Sequence, residues 1–405
     1  MNKEYVKLLC ASCISRFGDS IDAIAYGWMV YEISGSPALL ATLFAVNGIP
    51  SFVLNFCVGP VVHHFNKKKL LIISDVGRGI IVSITAILYA LNLLEVWHLF
   101  ALTFLTSTFE VFSNPASSSI VRDILKPEEF ESVLGKSKSI KTIFELAGLG
   151  CAGFLIATIG IQNVILIDGI TFFVCAIIIV FVRHQETVQN SITLKEYTDG
   201  LTSGIKHIFS NSKMVFVVLV CAFAGFFLTP ANTLIPAYVK DLIQKGPNFM
   251  SLISGSFSVS FIIGGLITAA ITKILNLKQI LLFSGISVFL GYCGFCLGIN
   301  VNNDLILIGT LVLSCLLIGA PVSVLSVSFT SEFMRIIDKK HFTTVASVTN
   351  AFSLSAVPLG AALAGAMLVK ISIPTVFLMF GGVLLLVSIV QMFIKFKEKV
   401  TEEAK

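Results

Sequence analysis

Charge is what this sequence has least of. Asp, Glu, Lys and Arg make up 13% of its 405 residues, against 56% hydrophobic residues and a mean hydropathy of +0.93. That balance excludes a water-soluble globule, so the chain belongs in lipid. Charge is also unevenly missing. The apolar runs of the second half hold almost no ionisable side chain, whereas those of the first half contain Arg16, Asp19, Asp22, Asp75, Arg78, Glu110, Glu145 and Asp168. A charge inside a transmembrane segment costs roughly 2.5–3.5 kcal/mol on insertion scales, and it persists where a partner, a cavity or a transport path compensates. Enzyme signatures are lacking too. No phosphate-cradling glycine motif, zinc-protease helix or nucleophile elbow stands at a useful depth, so neither an enzyme nor an ATP-driven pump is expected. Cys10-Ala-Ser-Cys13 and Cys293-Gly-Phe-Cys296 lie in apolar runs without nearby His. They read as small packing residues, and no metal or other cofactor is expected.

What is present is a series of about twelve apolar runs, the first near 7–32 and the last near 374–395. Each is long enough to cross ~30 Å of hydrocarbon at ~1.5 Å per residue. Lys and Arg gather at alternate connections, among them Lys67–Lys69, Arg122/Lys126/Lys136, Lys273/Lys278 and Arg335/Lys339/Lys340. The bias of basic residues to the inner side places both termini in the cytoplasm of a multi-pass plasma-membrane protein. The net charge of +5 is then a topology signal rather than a nucleic-acid footprint, because the basic residues form no stripe. The first apolar run continues into a full span, so no cleavable leader is expected.

A polar interval at 184–211 divides the chain almost in half, with apolar residues from Leu194 to Phe209 at the spacing of an interfacial helix. Short strings repeat across it. Gly35-Ser-Pro37 parallels Lys245-Gly-Pro247, Asn114-Pro-Ala116 parallels Ala320-Pro-Val322, and Gly148-Leu-Gly-Cys-Ala-Gly153 parallels Gly360-Ala-Ala-Leu-Ala-Gly365, at offsets of 206 to 212 residues. Two six-helix bundles related by an axis along the membrane normal would leave such a pattern. The expected architecture is all-α and integral to the membrane, with about twelve transmembrane helices in two pseudo-symmetric six-helix bundles: 1–183, a cytoplasmic linker 184–211, and 212–405. Small residues at 148–153 and 360–365 allow close helix approach.

Several of these strings resemble the macrolide-efflux-like drug:proton antiporters of the major facilitator superfamily. The resemblance is carried by Ser15-Arg-Phe-Gly-Asp-Ser-Ile-Asp22, Trp28-Met-Val-Tyr-Glu-Ile-Ser-Gly-Ser36, Asp75-Val-Gly-Arg78, Asn114-Pro-Ala-Ser-Ser-Ser-Ile-Val-Arg-Asp123 and Val357-Pro-Leu-Gly-Ala-Ala-Leu-Ala-Gly365. It implies the major facilitator fold and export of small amphipathic organic compounds by proton-coupled alternating access. Three positions depart from the family pattern. Where the family has Gly, an Asp-Arg pair and basic residues between spans two and three, this chain has Gly59, His63-His64 and Lys67–Lys69. His63 is either a drifted gate or a pH-dependent latch. The fourth-span Arg of proton-coupled relatives falls on Thr106, and the fifth-span Gly-Pro pair reads Gly148-Leu149.

Depth along the helices sorts the charges into two layers. Asp19 and Asp22 lie ~18–23 Å along the first span and Glu110 halfway along the fourth, near the midplane. Arg16, Asp19 and Asp22 repeat every three residues, so Arg16 can pair with Asp19 and leave one acid over. Such a carboxyl can hold a proton facing one side and release it on the other. Asp22 and Glu110 are the candidates for coupling, with Arg16 and Asp19 as a structural or coupling pair, and a static polar network among the four is the other reading. Gly59 and His63, in the loop between spans two and three, read as gate groups, and the Asp75/Arg78 and Lys141/Glu145 pairs, in the inner third of their spans, as gate or packing pairs. Asp168, near the outer end of the sixth span, reads as an acid close to water. Protons, lipid and a small amphipathic organic substrate are the expected partners, without nucleic acid, and a monomer is expected. The alternatives are an uncoupled exporter or flipping protein for a lipid-like or peptide metabolite, or a degenerate transporter acting as a membrane sensor.

Overall fold

A lipid-embedded backbone must satisfy its hydrogen bonds internally, which leaves helices as the economical solution for apolar runs of this length. The computed structural model describes residues 3–64, 66–125, 130–183, 212–336 and 356–393, with single residues 202, 206 and 209 between. Six helices form the first part: α1 (Lys3–Ser34), α2 (Pro37–His64), α3 (Lys67–Ala90), α4 (Val96–Ile124), α5 (Phe130–Ile159) and α6 (Ile161–Val180). Among the described residues six longer ones follow, besides short helical turns at Ile235–Ala237 and Tyr238–Leu242: α7 (Ser212–Thr233), α8 (Pro247–Ile271), α9 (Leu277–Gly298), α10 (Asp304–Ile336), α11 (Ala356–Leu368) and α12 (Ile373–Phe393). No strand occurs among the described residues. Eight of the described helical segments are both long and apolar enough to cross a bilayer. At 32 residues α1 is long enough as well, and what sets it apart is the charge it carries in its middle. The interfacial helix expected over 194–209 lies outside the described residues.

Local chemistry sets the helix ends. The Asn66 side chain accepts from the Lys69 N–H at 2.8 Å to open α3, and Asn276 and Gln279 cap each other's backbone N–H at the start of α9. Gly35 closes α1 with φ of 57°, and Gly160 turns α5 into α6 with φ of 84°, both in the region that favours glycine.

The chain packs as two units. The first comprises Met1–Tyr197, Pro230–Val259 and Pro358–Ile373; the second comprises Thr198–Thr229, Ser260–Val357 and Pro374–Lys405. Within the first, α3 lies along α6, α1 along α5 and α6, and α2 along α4. Leu8, Ala11, Leu71, Ala116, Ile120 and Ile179 form a buried apolar cluster among α1, α3, α4 and α6. Beside it a buried ion pair, Lys67 to Asp123 at 3.1 Å, ties the start of α3 to the end of α4. The carbonyls that end α6 are also covered. Lys68 donates to Val180 O and Val182 O, and Lys7 to Phe181 O, each at 2.8 Å. Glu4 accepts from the Arg183 N–H and pairs with Lys7, which hold its carboxyl below the ordinary range. At the other end of this unit Tyr31 donates to Asp241, and Lys240 sits 5.8 Å above the Trp28 ring.

Among the described residues, the second unit is joined without buried charge. Pro321, inside α10, has no N–H to offer the Leu317 carbonyl, and Ser287 of α9 donates to that carbonyl at 2.6 Å instead. Ser284 donates to Pro321 O at 3.1 Å, Ser323 to Phe261 O at 2.7 Å, and Tyr292 to Phe227 O at 2.8 Å. Stacked rings, Phe226 with Phe380 and Tyr292 with Phe377, fill the space between helices.

Candidate functional site

Charge in the first unit converges at mid-helix. Arg78 lies about 16 Å into α3, and its Nη2 donates to Asp19 Oδ1 at 3.0 Å. Ser15 donates to the other Asp19 oxygen at 3.3 Å. The guanidinium also lies over the Phe172 ring of α6, 4.0 Å from its centroid, and its Nε has no hydrogen-bond partner. Asp168, one turn before Phe172 on α6, is 2% exposed and accepts from Thr171 Oγ1 at 3.2 Å. Glycine at 18 makes this convergence possible, because a Cβ there would collide with both Asp168 and Thr171.

These groups border a cavity of about 290 Å³ lined by Asp19, Asp22, Arg78 and Asp168, by the rings of Tyr26, Phe44 and Phe172, and by Asn232, Met250 and Ser254. A second cavity of about 100 Å³ is lined by Asp22, Tyr26, Asn47, Thr85, Thr103 and Thr106 with Val82, Leu102 and Ile165. Asp22 belongs to both, as do Tyr26, Val82 and Thr106. Its Oδ1 is buried and has no hydrogen-bond partner. Tyr26, one turn further along α1, shares a hydrogen bond of 2.6 Å with Thr103 of α4. The arrangement therefore offers three carboxyls, one guanidinium, aromatic faces and a space of ligand size. It can receive a cation or a proton at Asp22 while Asp19 is held by Arg78.

Several expectations need correction. Asp19 takes its cation from α3, because Arg78 points across to α1, while the Arg16 side chain is exposed. Arg78 accordingly belongs to the midplane layer, not to an inner pair with Asp75, which is buried one turn earlier on α3. Asp168 is not an acid close to water. It is the eighth residue of α6 and faces α1, where Gly18 leaves room for it. Lys141 and Glu145 make no ion pair with each other; Lys141 lies beside Cys13 and Arg16 of α1. Glu110 is at mid-α4 within electrostatic reach of Arg78, but it is exposed and lines neither cavity. Gly59 and His63 stand in the last turns of α2 and not in a loop after it, and what surrounds them lies outside the described residues. Sequence reasoning passed over Asp168 as a site residue although a signal was present: an acid followed by Thr171 one turn later, in a run otherwise apolar.

The model of the Major Facilitator Superfamily matches residues 8–361 of this sequence. The chain belongs to that superfamily. Macrolide efflux protein A of Streptococcus pyogenes is 22% identical over 388 residues, covering 96% of this chain and 95% of that protein. The multidrug efflux pump Tap of Mycolicibacterium fortuitum is 23% identical over 403 residues, 96% of this chain and 94% of its own. Among solved structures, the nucleoside transporter NupG has a TM-score of 0.75 at 14% identity, covering 97% of this chain and all of that one (100%). A bacterial homologue of the iron transporter ferroportin in an inward-facing state has a TM-score of 0.71 at 14% identity, over 97% and 99%. The chain thus has the major facilitator fold: all-α, integral to the membrane, in two pseudo-symmetric bundles of six helices. It is a transporter and not an enzyme. Within this superfamily fold Thr106 and Leu149, two of the departures noted in the sequence, both line the larger cavity.

Proposed function

We propose that this transporter exports amphipathic organic compounds of the drug or macrolide kind across the plasma membrane, driven by an inward proton gradient through alternating access. Both termini are cytoplasmic in this reading, residues 1–183 and 212–405 act as the two moving bundles joined by 184–211, and the working unit is a monomer. The observation that carries it is Asp22: a carboxyl at mid-span, open to a cavity of ligand size, with one oxygen lacking any hydrogen-bond partner. Protonation supplies that oxygen with its missing hydrogen, and a cationic or hydrogen-bonding substrate in the cavity competes for it, so occupancy by one releases the other. Asp19 with Arg78 fixes the wall beside it and Asp168 adds a second acid. The similarity to efflux proteins over nearly the whole chain supports the direction and the substrate class.

The test is transport in proteoliposomes with an imposed pH gradient and a macrolide as first probe. Asp22→Asn keeps size and polarity but cannot cycle a proton, so it is expected to abolish gradient-driven uptake into inverted vesicles while substrate counterflow persists. Undiminished gradient-driven transport in that variant would remove Asp22 from the coupling role.

A further inference from the structure

The smaller cavity is not needed by the scheme above. A proton on Asp22 uses one oxygen, yet behind that carboxyl lies about 100 Å³ of space bordered by Tyr26, Asn47, Thr85, Thr103 and Thr106. We propose that this cavity binds a monovalent alkali cation at Asp22. The inference deepens the assignment of Asp22 as coupling acid, and it rests on that assignment only for what the ion does in transport.

The lining chemistry selects the ligand. Every polar group at the cavity carries oxygen, and no His, Cys, Lys or Arg borders it. Soft or borderline metals seek sulfur and imidazole, so they are disfavoured. Calcium and magnesium sites gain affinity from several carboxylates or many waters, whereas here a single carboxylate is present. One negative charge matched by one positive charge leaves a neutral buried site, which is the condition under which charge persists in a membrane. Arg78 is paired with Asp19, Asp168 accepts from Thr171, and all three border the larger cavity and not this one. The volume equals that of about three waters at roughly 30 Å³ each, which accommodates an ion with residual hydration. Two of the oxygens are already set in place by the bond between Tyr26 and Thr103 at 2.6 Å. One turn further along α4, Ser107 has a buried hydroxyl without a partner, a polar atom left over beside the same face.

The test uses the purified full-length transporter in detergent at fixed pH and ionic strength, with choline chloride exchanged stepwise for NaCl or, separately, KCl. A Tm that rises and saturates with one alkali cation is the expected result, because a ligand of the native state stabilises by mass action. Asp22→Asn should erase the rise. Thr106→Val, which leaves every charge in place, should move its midpoint at least several-fold to higher salt, so the outcome does not depend on one variant's folding. The same Tm in all three salts, or a rise that survives Asp22→Asn, overturns the site. Proton-driven export unaffected by alkali cations together with a flat Tm would sink the ion site alone and leave the transport reading standing. A saturating Asp22-dependent rise in a protein that moves no substrate would uphold the site and sink the transport reading.

Discussion

The two units solve the same problem, how to hold apolar helices together in lipid, with different chemistry. In the second, among the described residues, Asp, Glu, Lys and Arg stand only near helix ends, and cohesion comes from Ser and Tyr hydroxyls donating to helix carbonyls and from stacked rings. In the first, Asp19, Asp22, Arg78 and Asp168 are placed at mid-span, where they cost most. Packing needs nothing of the kind, since the second unit manages without it. On the function proposed above, the charged group is what the work of transport would use, with Asp22, whose buried Oδ1 has no hydrogen-bond partner, as its acid. That contrast makes distinct demands on variants of the two units.

The largest effect is expected at Arg78, the one cation among three acids lining the larger cavity. Arg78→Met leaves Asp19 without its ion pair, and breaking a buried pair by removing one partner costs up to about 3–5 kcal/mol. Asp19 retains some contact with solvent, so the lower end of that range is expected. Thermal unfolding in detergent should show a clear fall in Tm, and export should be lost. Adding Asp19→Asn should restore part of the stability without restoring export. If Arg78→Met were as stable as the parent, the charges would be a passive feature and the contrast between the units would lose its meaning.

A smaller effect is expected at Gly18, which tests whether the charged cluster depends on close approach. Gly18→Ala places a methyl where Asp168 and Thr171 press on α1. Overpacking of this kind costs about 1–3 kcal/mol. It should separate α1 from α6 and disturb the cavity, so transport should fall further than Tm alone accounts for. Gly150 on α5 is the control, because nothing lies near a Cβ there and Gly150→Ala should leave both unchanged.

Much of this architecture could be read from the residues, and what escaped has a common cause. Spans, charge asymmetry and the small-residue face of α5 are periodic or compositional, so they are written locally. Gly148 indeed meets the α1 backbone at Phe17, and Gly153 donates to Ser251 of α8 at 2.8 Å. Which charge meets which is decided between helices. Arg78 has Asp75 one turn away in sequence but finds Asp19 on another helix, and Asp168, near the surface by depth along α6 alone, is buried because it faces α1. Lys141 and Glu145 show the converse, a spacing suited to pairing on a helix that the structure does not use. An i,i+4 pair is worth only ~0.2–0.5 kcal/mol, too little to outweigh a neighbouring helix.

The smallest effect is expected in the second unit, where it completes the contrast. Ser323→Ala removes a donor to Phe261 O, a carbonyl on a neighbouring helix in lipid. A net hydrogen bond contributes about 0.5–1.5 kcal/mol. In membranes the measured average between helices is nearer ~0.6 kcal/mol, because alternatives exist in the unfolded reference as well. Tm should therefore fall slightly, coupling stoichiometry should stay the same, and the pH dependence of export should not move. A shift in that pH profile from Ser323→Ala would mean that the uncharged unit tunes the acid in the charged one. The division into a working unit and a packing unit would then have to be abandoned.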